Sequence, residues 1–356
     1  MQLECTKKLL DYIGAKPEKA AEPVDPLFAW TANLMVINRR KTLVAVHVAS
    51  RSVFVLHGLT VKQIPKLPEL ILEGIRTLLR SEYVRPEIIE RYLDECGRNV
   101  SFFANSSRKT VAGCNKGCER VKWLSELYEP GDLYQQKFLP WLNDDITNGD
   151  YIYEILLDSL REHYGDDIQS CRALELEVEL QDTGCKRRIV VPSDFTFYQF
   201  HRVLQGAFGW HDCHLHEFIL PGSPERILHP DAWEDEEVFE DSTQLTVGEI
   251  FGNYKTIGYV YDFGDCWYHV IKYVRTIEDC PDPYPHCVCA VGIAPREDSG
   301  GLEAFAEITR ILNDPEDPEY GQIPEWVRDL WLQPLDVQRI NFWIKNAHRR
   351  CIPIYW

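Results

Sequence analysis

No run of about 18 apolar residues, the length a membrane-spanning helix needs, occurs in the chain. The first residues, Met1-Gln2-Leu3-Glu4-Cys5-Thr6-Lys7-Lys8, lack the basic-then-apolar order of a secretory signal. Both absences point to a cytoplasmic protein. The 12 cysteines lack the dense, regular spacing of a secreted disulfide scaffold. They are therefore expected as reduced thiols, mostly small core residues or metal ligands. Also missing are a phosphate-cradling Walker loop, a Rossmann glycine fingerprint, a nucleophile elbow and a His-Glu-x-x-His zinc motif. No catalytic residue is assigned, and no internal repeat is present.

Basic residues are scarce in one half only. Residues 1–150 hold 21 Lys and Arg against 19 Asp and Glu, whereas 151–356 hold 17 against 37. The second half therefore repels phosphate backbones and is a poor direct holder of nucleic acid. Its charge suits a solvated surface, or one that attracts a basic partner which itself binds nucleic acid.

What the chain does have is 45% apolar and 12% aromatic content over 356 residues. That is enough for two folded domains. The pattern predicts an α+β fold in two domains: residues 1–125, a helical connector over 126–170, and 171–356. In the first, Thr6–Ile13 reads as a short helix. Leu27–Ile37, Thr42–Val48 and Ser52–Leu56 read as strands, with a turn at Asn38-Arg39-Arg40. Leu67–Leu79 repeats apolar residues at helical spacing, and Pro86 opens a further helix.

The second domain begins with alternation: Leu174, Leu176, Val178 and Leu180 on one side, Glu175, Glu177 and Glu179 on the other. This is the period-two mark of a half-buried strand. Arg188–Val191 returns it as a hairpin. A helix follows to Phe208, capped by Ser193 or Asp194 and stopped at Gly209. Leu215–Leu220 reads as a strand, Thr246–Phe251 as a helical turn, and Gly258–Tyr261 with Trp267–Val274 as a second hairpin. The order β-β-α-β, short helix, β-β predicts a β-grasp-like mixed roll on one helix. Helices over Leu302–Leu312, Pro324–Leu332 and Val337–Ala347 close the chain. The acidic run Glu234-Asp235-Glu236-Glu237 reads as a loop.

Three segments concentrate unusual residues: His214-Leu215-His216-Glu217-Phe218, the stretch Tyr261-Asp262-Phe263-Gly264-Asp265-Cys266-Trp267-Tyr268-His269, and Pro295-Arg296-Glu297-Asp298-Ser299-Gly300-Gly301. Their order and spacing, with Trp210, Pro285-His286-Cys287 and Asn313-Asp314-Pro315, resemble the plasmid pRiA ORF-three-like family over residues 171 to about 346. The resemblance implies a passenger protein of mobile, transposon-type elements and carries no established activity. Some members are labelled transposon resolvases, but a serine resolvase needs an arginine cluster and a basic DNA-binding end. The family often has Pro-Pro-Glu-Asp-Cys-Gly-Gly where this chain has Arg296 and Ser299, and a further family cysteine is Ala294 here. The first domain, through Cys5-Thr6-Lys7-Lys8-Leu9-Leu10, Trp30-Thr31-Ala32-Asn33-Leu34 and Asn105-Ser106-Ser107-Arg108, resembles an uncharacterised domain found fused in front of such modules.

Two readings of the sites stay open. On a strand, His214 and His216 point to one face. With Asp265 and His269 they form a candidate metal site of N and O ligands; otherwise they pin the sheet to its loops. Asp262 and Asp265 flank Phe263-Gly264, where turn chemistry accounts for both, and Glu297-Asp298 suits the start of the following helix. Cys114 with Cys118, and Cys280 with His286, Cys287 and Cys289, lack paired zinc knuckles. Ser107-Arg108-Lys109 with Lys116, Arg120 and Lys122 forms a small basic cluster. The leading expectation is a non-enzymatic interaction or regulatory protein without a cofactor. Its acidic domain would bind a protein partner through Trp210, Phe218, Tyr261, Phe263 and Trp267. The alternatives are a divalent-metal-dependent enzyme acting on nucleic acid or nucleotides, and an acidic antagonist of a nucleic-acid-binding protein.

Overall fold

The computed structural model describes residues 1–18, 25–105, 107–223, 226–228, 239–331, 333 and 335–349. The acidic run 234–237 lies outside the described residues. The chain is α+β and divides into two units, Met1–Ser170 and Cys171–Trp356. Residues 126–170, read above as a connector, belong to the first unit. Asn143 explains part of this, because its side chain accepts from Val53 N at 2.7 Å and donates to Val53 O at 3.0 Å. No helix among the described residues is long and apolar enough to cross a membrane.

The first unit runs β1 (Gln2–Cys5), α1 (Lys7–Ile13), β2 (Trp30–Ile37), β3 (Arg40–His47), β4 (Val53–His57), α2 (Leu67–Ser81), α3 (Pro86–Cys96), β5 (Ser101–Ala104), α4 (Arg108–Trp123), α5 (Leu139–Leu142), β6 (Ile146–Thr147), β7 (Asp150–Tyr151) and α6 (Ile152–Tyr164). Its main sheet has the order β4-β3-β2-β1-β5, and β1 is parallel to both neighbours. The strands β2, β3 and β4 form an antiparallel meander. Ile71, Ile75, Leu78 and Leu79 of α2 are buried, as their helical spacing requires. The Cβ of an alanine at Gly74 would lie 2.3 Å from the Phe54 ring, so helix and sheet approach closely there.

The second unit runs β8 (Cys171–Leu180), β9 (Cys185–Pro192), α7 (Phe197–Phe208), β10 (His216–Ile219), β11 (Arg226–Leu228), β12 (Phe239–Asp241), α8 (Val247–Asn253), β13 (Thr256–Tyr261), β14 (Trp267–Cys280), β15 (His286–Val291), α9 (Gly301–Leu312), α10 (Glu325–Trp331) and α11 (Val337–Ile344). The eight strands form one sheet, β12-β11-β10-β13-β14-β8-β9-β15. It is larger than the small roll expected, because β11, β12 and β15 add to its edges. Along β8 the leucines face the core. Glu175 is nonetheless buried too, held by Arg188 and Arg275, while Glu179 pairs with Lys186 and Lys272 on neighbouring strands. Part of the acidic charge is thus compensated within the sheet.

Helix α7 lies against this sheet, with Phe197 and Phe200 on Phe218. Its cap is Thr196, not Ser193 or Asp194. Thr196 Oγ1 accepts from Gln199 N, and Gln199 Oε1 accepts from Thr196 N, a reciprocal capping box. Gly209 ends the helix at φ 79°, a left-handed conformation that glycine adopts without steric cost.

Candidate functional site

The tip of the β13–β14 hairpin is a turn built by Asp262. Its φ is 58°, and its Oδ1 accepts from Gly264 N at 2.9 Å and Asp265 N at 3.3 Å. This is the turn role that Asp commonly takes. Asp265 points the other way, and its Oδ2 accepts from Gly300 N at 3.1 Å. The loop 295–300 is tied down at two further points. Trp210 Nε1 donates to Pro295 O at 2.9 Å, and His211 N donates to Glu297 Oε1 at 2.7 Å. The three unusual segments of the sequence therefore meet at one end of the sheet.

Their meeting point is His214. Its Nε2 lies 3.6 Å from Asp262 Oδ2, 3.6 Å from Glu297 Oε2 and 3.2 Å from Asp298 Oδ1. That nitrogen is buried and makes no hydrogen bond. The imidazole is a quarter exposed and Asp298 lies open to solvent, so the cluster sits at the surface. Asp298, like Asp262, is left-handed, with φ 55°. Tyr261 braces the cluster from below: its hydroxyl donates to Glu297 at 2.9 Å and accepts from Cys213 N at 3.1 Å. Burial, and then the Glu297 carboxylate, push the Tyr261 phenol well up, so it remains a donor.

Beside it lies a second, buried polar group. His201 of α7 places Nε2 2.7 Å from Asp212 Oδ1 and Nδ1 2.9 Å from the Tyr259 hydroxyl. Gln205 closes the ring, donating to Tyr259 Oη at 3.2 Å and accepting from Asp212 N at 2.8 Å. The His216 ring stacks on His201 at 3.5 Å, nearly parallel. Burial raises the Asp212 carboxyl, but His201 and Arg202 outweigh it and hold the group well below the usual carboxylate range. The two groups of described residues able to hold a metal ion are His201, Asp212 and His216, and His214, Asp262 and Asp298. No cysteine is in either.

The sequence grouped His214, His216, Asp265 and His269. The structure sends these four to different places. His214 precedes β10, so the alternation rule does not put it on the face of His216. His269 is fully buried between Phe208 and Trp210, and Asp265 ties the loop described above. Of the five aromatic residues expected to anchor a partner, Trp210, Phe218, Tyr261 and Trp267 are buried and Phe263 is exposed. Phe218, Tyr261 and Trp267 face the core from strands β10, β13 and β14, and Trp210 does so from the loop after α7. Cys114 and Cys118 are buried on α4, and Cys287 is buried while Cys289 is exposed on β15. In the basic cluster, Arg120 is a structural residue that donates to Leu142 O and Arg51 O. His201 and Asp212 were not singled out from sequence. The available signal was a histidine among Phe200, Val203 and Leu204 on the apolar face of α7.

A family described as "Plasmid pRiA4b ORF-3-like protein" matches residues 172–341, and a "Domain of unknown function (DUF6933)" matches residues 2–155. An uncharacterized protein, y4hQ, of Sinorhizobium fredii is 33% identical over 144 residues, 39% of this chain and 72% of that protein. The crystal structure of a protein of unknown function from Methanosarcina mazei Go1 is similar at 26% identity and a TM-score of 0.40. The match covers 47% of this chain and 96% of the other.

Proposed function

This chain belongs to the plasmid pRiA4b ORF-3-like family through its second unit, and for that unit we propose a divalent-cation-binding role centred on His214, Asp262 and Asp298. The observation that carries it is the spacing around His214 Nε2. Two ligands each about 2.1 Å from one ion at a tetrahedral angle lie about 3.4 Å apart. The separations of 3.6 and 3.2 Å from the Asp262 and Asp298 oxygens fit that geometry, these ligand atoms lie within 4.8 Å of one another, and the nitrogen's lack of a hydrogen bond leaves its lone pair available. A donor set of one imidazole and two carboxylates, with Glu297 held beside it by Tyr261 and His211, suits Mn²⁺ or Zn²⁺. In the His201 group, by contrast, the 2.7 Å approach to Asp212 is a hydrogen bond, and we assign that group to positioning α7 against β10 and β13.

Calorimetric titration of the metal-stripped chain with Mn²⁺ and Zn²⁺ tests the reading. One equivalent is expected to bind, and His214→Ala and Asp262→Asn are expected to abolish binding while the circular dichroism spectrum is retained. Unchanged stoichiometry and affinity in both folded variants would overturn it.

A protein partner is a second reading, with different anchors from those expected. Trp326, Phe342 and Trp343 of α10 and α11 are 65%, 76% and 59% exposed, and exposed aromatics of this kind serve as hot spots. A regulatory role linked to mobile elements draws its support from a family named for a plasmid reading frame. Mass photometry of the chain with and without Phe342→Ala/Trp343→Ala, in the presence of extract fractions, tests the surface; an unchanged mass distribution counts against it.

A further inference from the structure

A cavity of about 520 Å³ opens beside the C-terminal end of α7, walled by the loop 293–296, by Trp331 and Gln333, and by residues of the segment 335–347. Four arginines line it, Arg187, Arg202, Arg296 and Arg339, against one carboxylate, Asp336. That balance is inverted relative to the acidic unit around it. Asp336 is itself occupied, accepting from Gln338 N at the start of α11.

Arg187 is the telling residue. It is 3% exposed, yet every partner it has is neutral. Its Nε donates to Ala207 O, and its Nη1 to Lys186 O, Val291 O and Gly292 O. The guanidinium also lies over the Phe208 ring at 5.2 Å. No carboxylate among the described residues pairs with it. A buried charge normally requires an opposite charge, because burial removes its water. Here the carbonyls fix the fork's orientation but leave the positive charge uncompensated at the wall of a cavity. Gly292 makes this cage: its φ is +71°, and a Cβ there would lie 2.7 Å from Gly184 O.

The other three arginines extend the field. Arg296 and Arg339 are exposed and have no carboxylate partner among the described residues; Arg339 donates to Gln333 Oε1. Arg202 is paired with Asp212. The remaining wall is aromatic and apolar, with Trp210 and Trp331 buried and Trp343, Ile293 and Leu335 exposed. Arginine forks match phosphate oxygens, indole faces stack on heteroaromatic rings, and the volume is that of a small-ligand site. We propose that this cavity binds a mononucleotide-class ligand, its phosphate held by Arg187 with Arg296 and Arg339, and its base on the exposed Trp343. The proposal does not rest on the cation site, although both use the loops that carry His211 and Arg296.

The test is tryptophan-quenching and calorimetric titration of the full chain in EDTA. The probes are AMP, GMP, adenosine, inorganic phosphate and a single-stranded DNA decamer. Saturable binding of a mononucleotide below about 1 mM is expected, with adenosine and phosphate each weaker by about tenfold or more. The surface variants Arg296→Ala and Arg339→Ala, which leave the core intact, should each weaken binding by about tenfold. Arg187→Met should abolish it; if that variant does not fold, the two surface variants still decide. No saturable mononucleotide binding, or unchanged affinity in Arg296→Ala/Arg339→Ala, overturns the proposal. So does a decamer binding more tightly than AMP and GMP, since the site would then serve nucleic acid. Because EDTA is present throughout, failure here leaves the cation reading untouched, and failure of cation binding leaves this one standing.

Discussion

The neutrality of His269 should make the second unit acid-sensitive. Its Nδ1 lies 3.0 Å from Trp267 O and 3.3 Å from Tyr259 O. Both are acceptors, so Nδ1 carries the proton. Nε2 has no hydrogen-bond partner and is enclosed with the edge-on rings of Phe208 and Trp210. Burial pushes the imidazole down from 6.5 to about 3, outweighing the two carbonyls, which act in the opposite direction. The sign follows from linkage: the unfolded chain takes up a proton near pH 6.5 and the folded one does not. Stability is therefore full above pH 6.5, falls as the pH drops below it, and levels off only near pH 3. Between pH 7.5 and 4.5 this one residue removes about 2.7 kcal/mol, two pH units at about 1.36 kcal/mol each. His269→Asn supplies an amide N–H near the Nδ1 position and does not titrate. Its packing cost is the same at both pH values and cancels. Urea unfolding at pH 7.5 and 4.5, read by hydrogen exchange in β13 and β14, isolates the second unit's transition. The native chain should lose about 2.7 kcal/mol more than the variant. Equal losses would refute the assignment of a buried, neutral His269.

Two further outcomes follow from the core and the thiols. Tyr92→Phe should destabilise the first unit by about 1–3 kcal/mol, measured by urea unfolding with exchange read in β2. The buried Trp30 Nε1 would lose its acceptor, the Tyr92 hydroxyl, at 2.9 Å, and Leu27 O would lose that hydroxyl as a donor at 2.8 Å. Brief alkylation of the native chain followed by peptide mapping should mark Cys266 and Cys289 first. Cys213 should be slower, because burial and then the Glu297 and Asp212 carboxylates raise its thiol. Cys5, Cys114 and Cys118 should stay unmarked while the first unit is folded.

Much of the second unit was legible because its strands carry contrast. Along β8 leucine or valine alternates with glutamate from Leu174 to Leu180, so the period was written in the sequence, whereas the burial of Glu175 was not. The Asp262 turn was equally plain, since Asp tolerates the left-handed conformation and its side chain caps the backbone that follows. The strand β1 was not: Gln2–Cys5 is four residues long, and its place inside the sheet comes from parallel pairing with β2 and with β5, the latter about a hundred positions away. Helix α4 was hidden by Gly113 and Gly117, which lower helix propensity. They are there for packing. A Cβ at Gly113 would meet Arg51 at 1.7 Å, and one at Gly117 would meet Val46 at 2.7 Å. At the site, the three segments were visible but their pairing was not. Side-chain direction there is set by left-handed Asp262 and Asp298 and by the late start of β10, and none of these follows from periodicity.

The convergence on His214 also bears on how the chain folds. The bonds that hold the loop 295–300 in place join residues 85 and 86 positions apart, and the central β8–β14 pairing joins residues 100 apart. Contacts of such separation carry a large closure entropy and form slowly. The β13–β14 hairpin and the start of β10 can assemble early, but without the distant loop they bring His214 only Asp262. Glu297 and Asp298 join only through a closure comparable in separation to the β8–β14 pairing that completes the sheet. A spectroscopic signal from an ion at this cluster would therefore report long-range closure of the second unit and not the formation of its local hairpins.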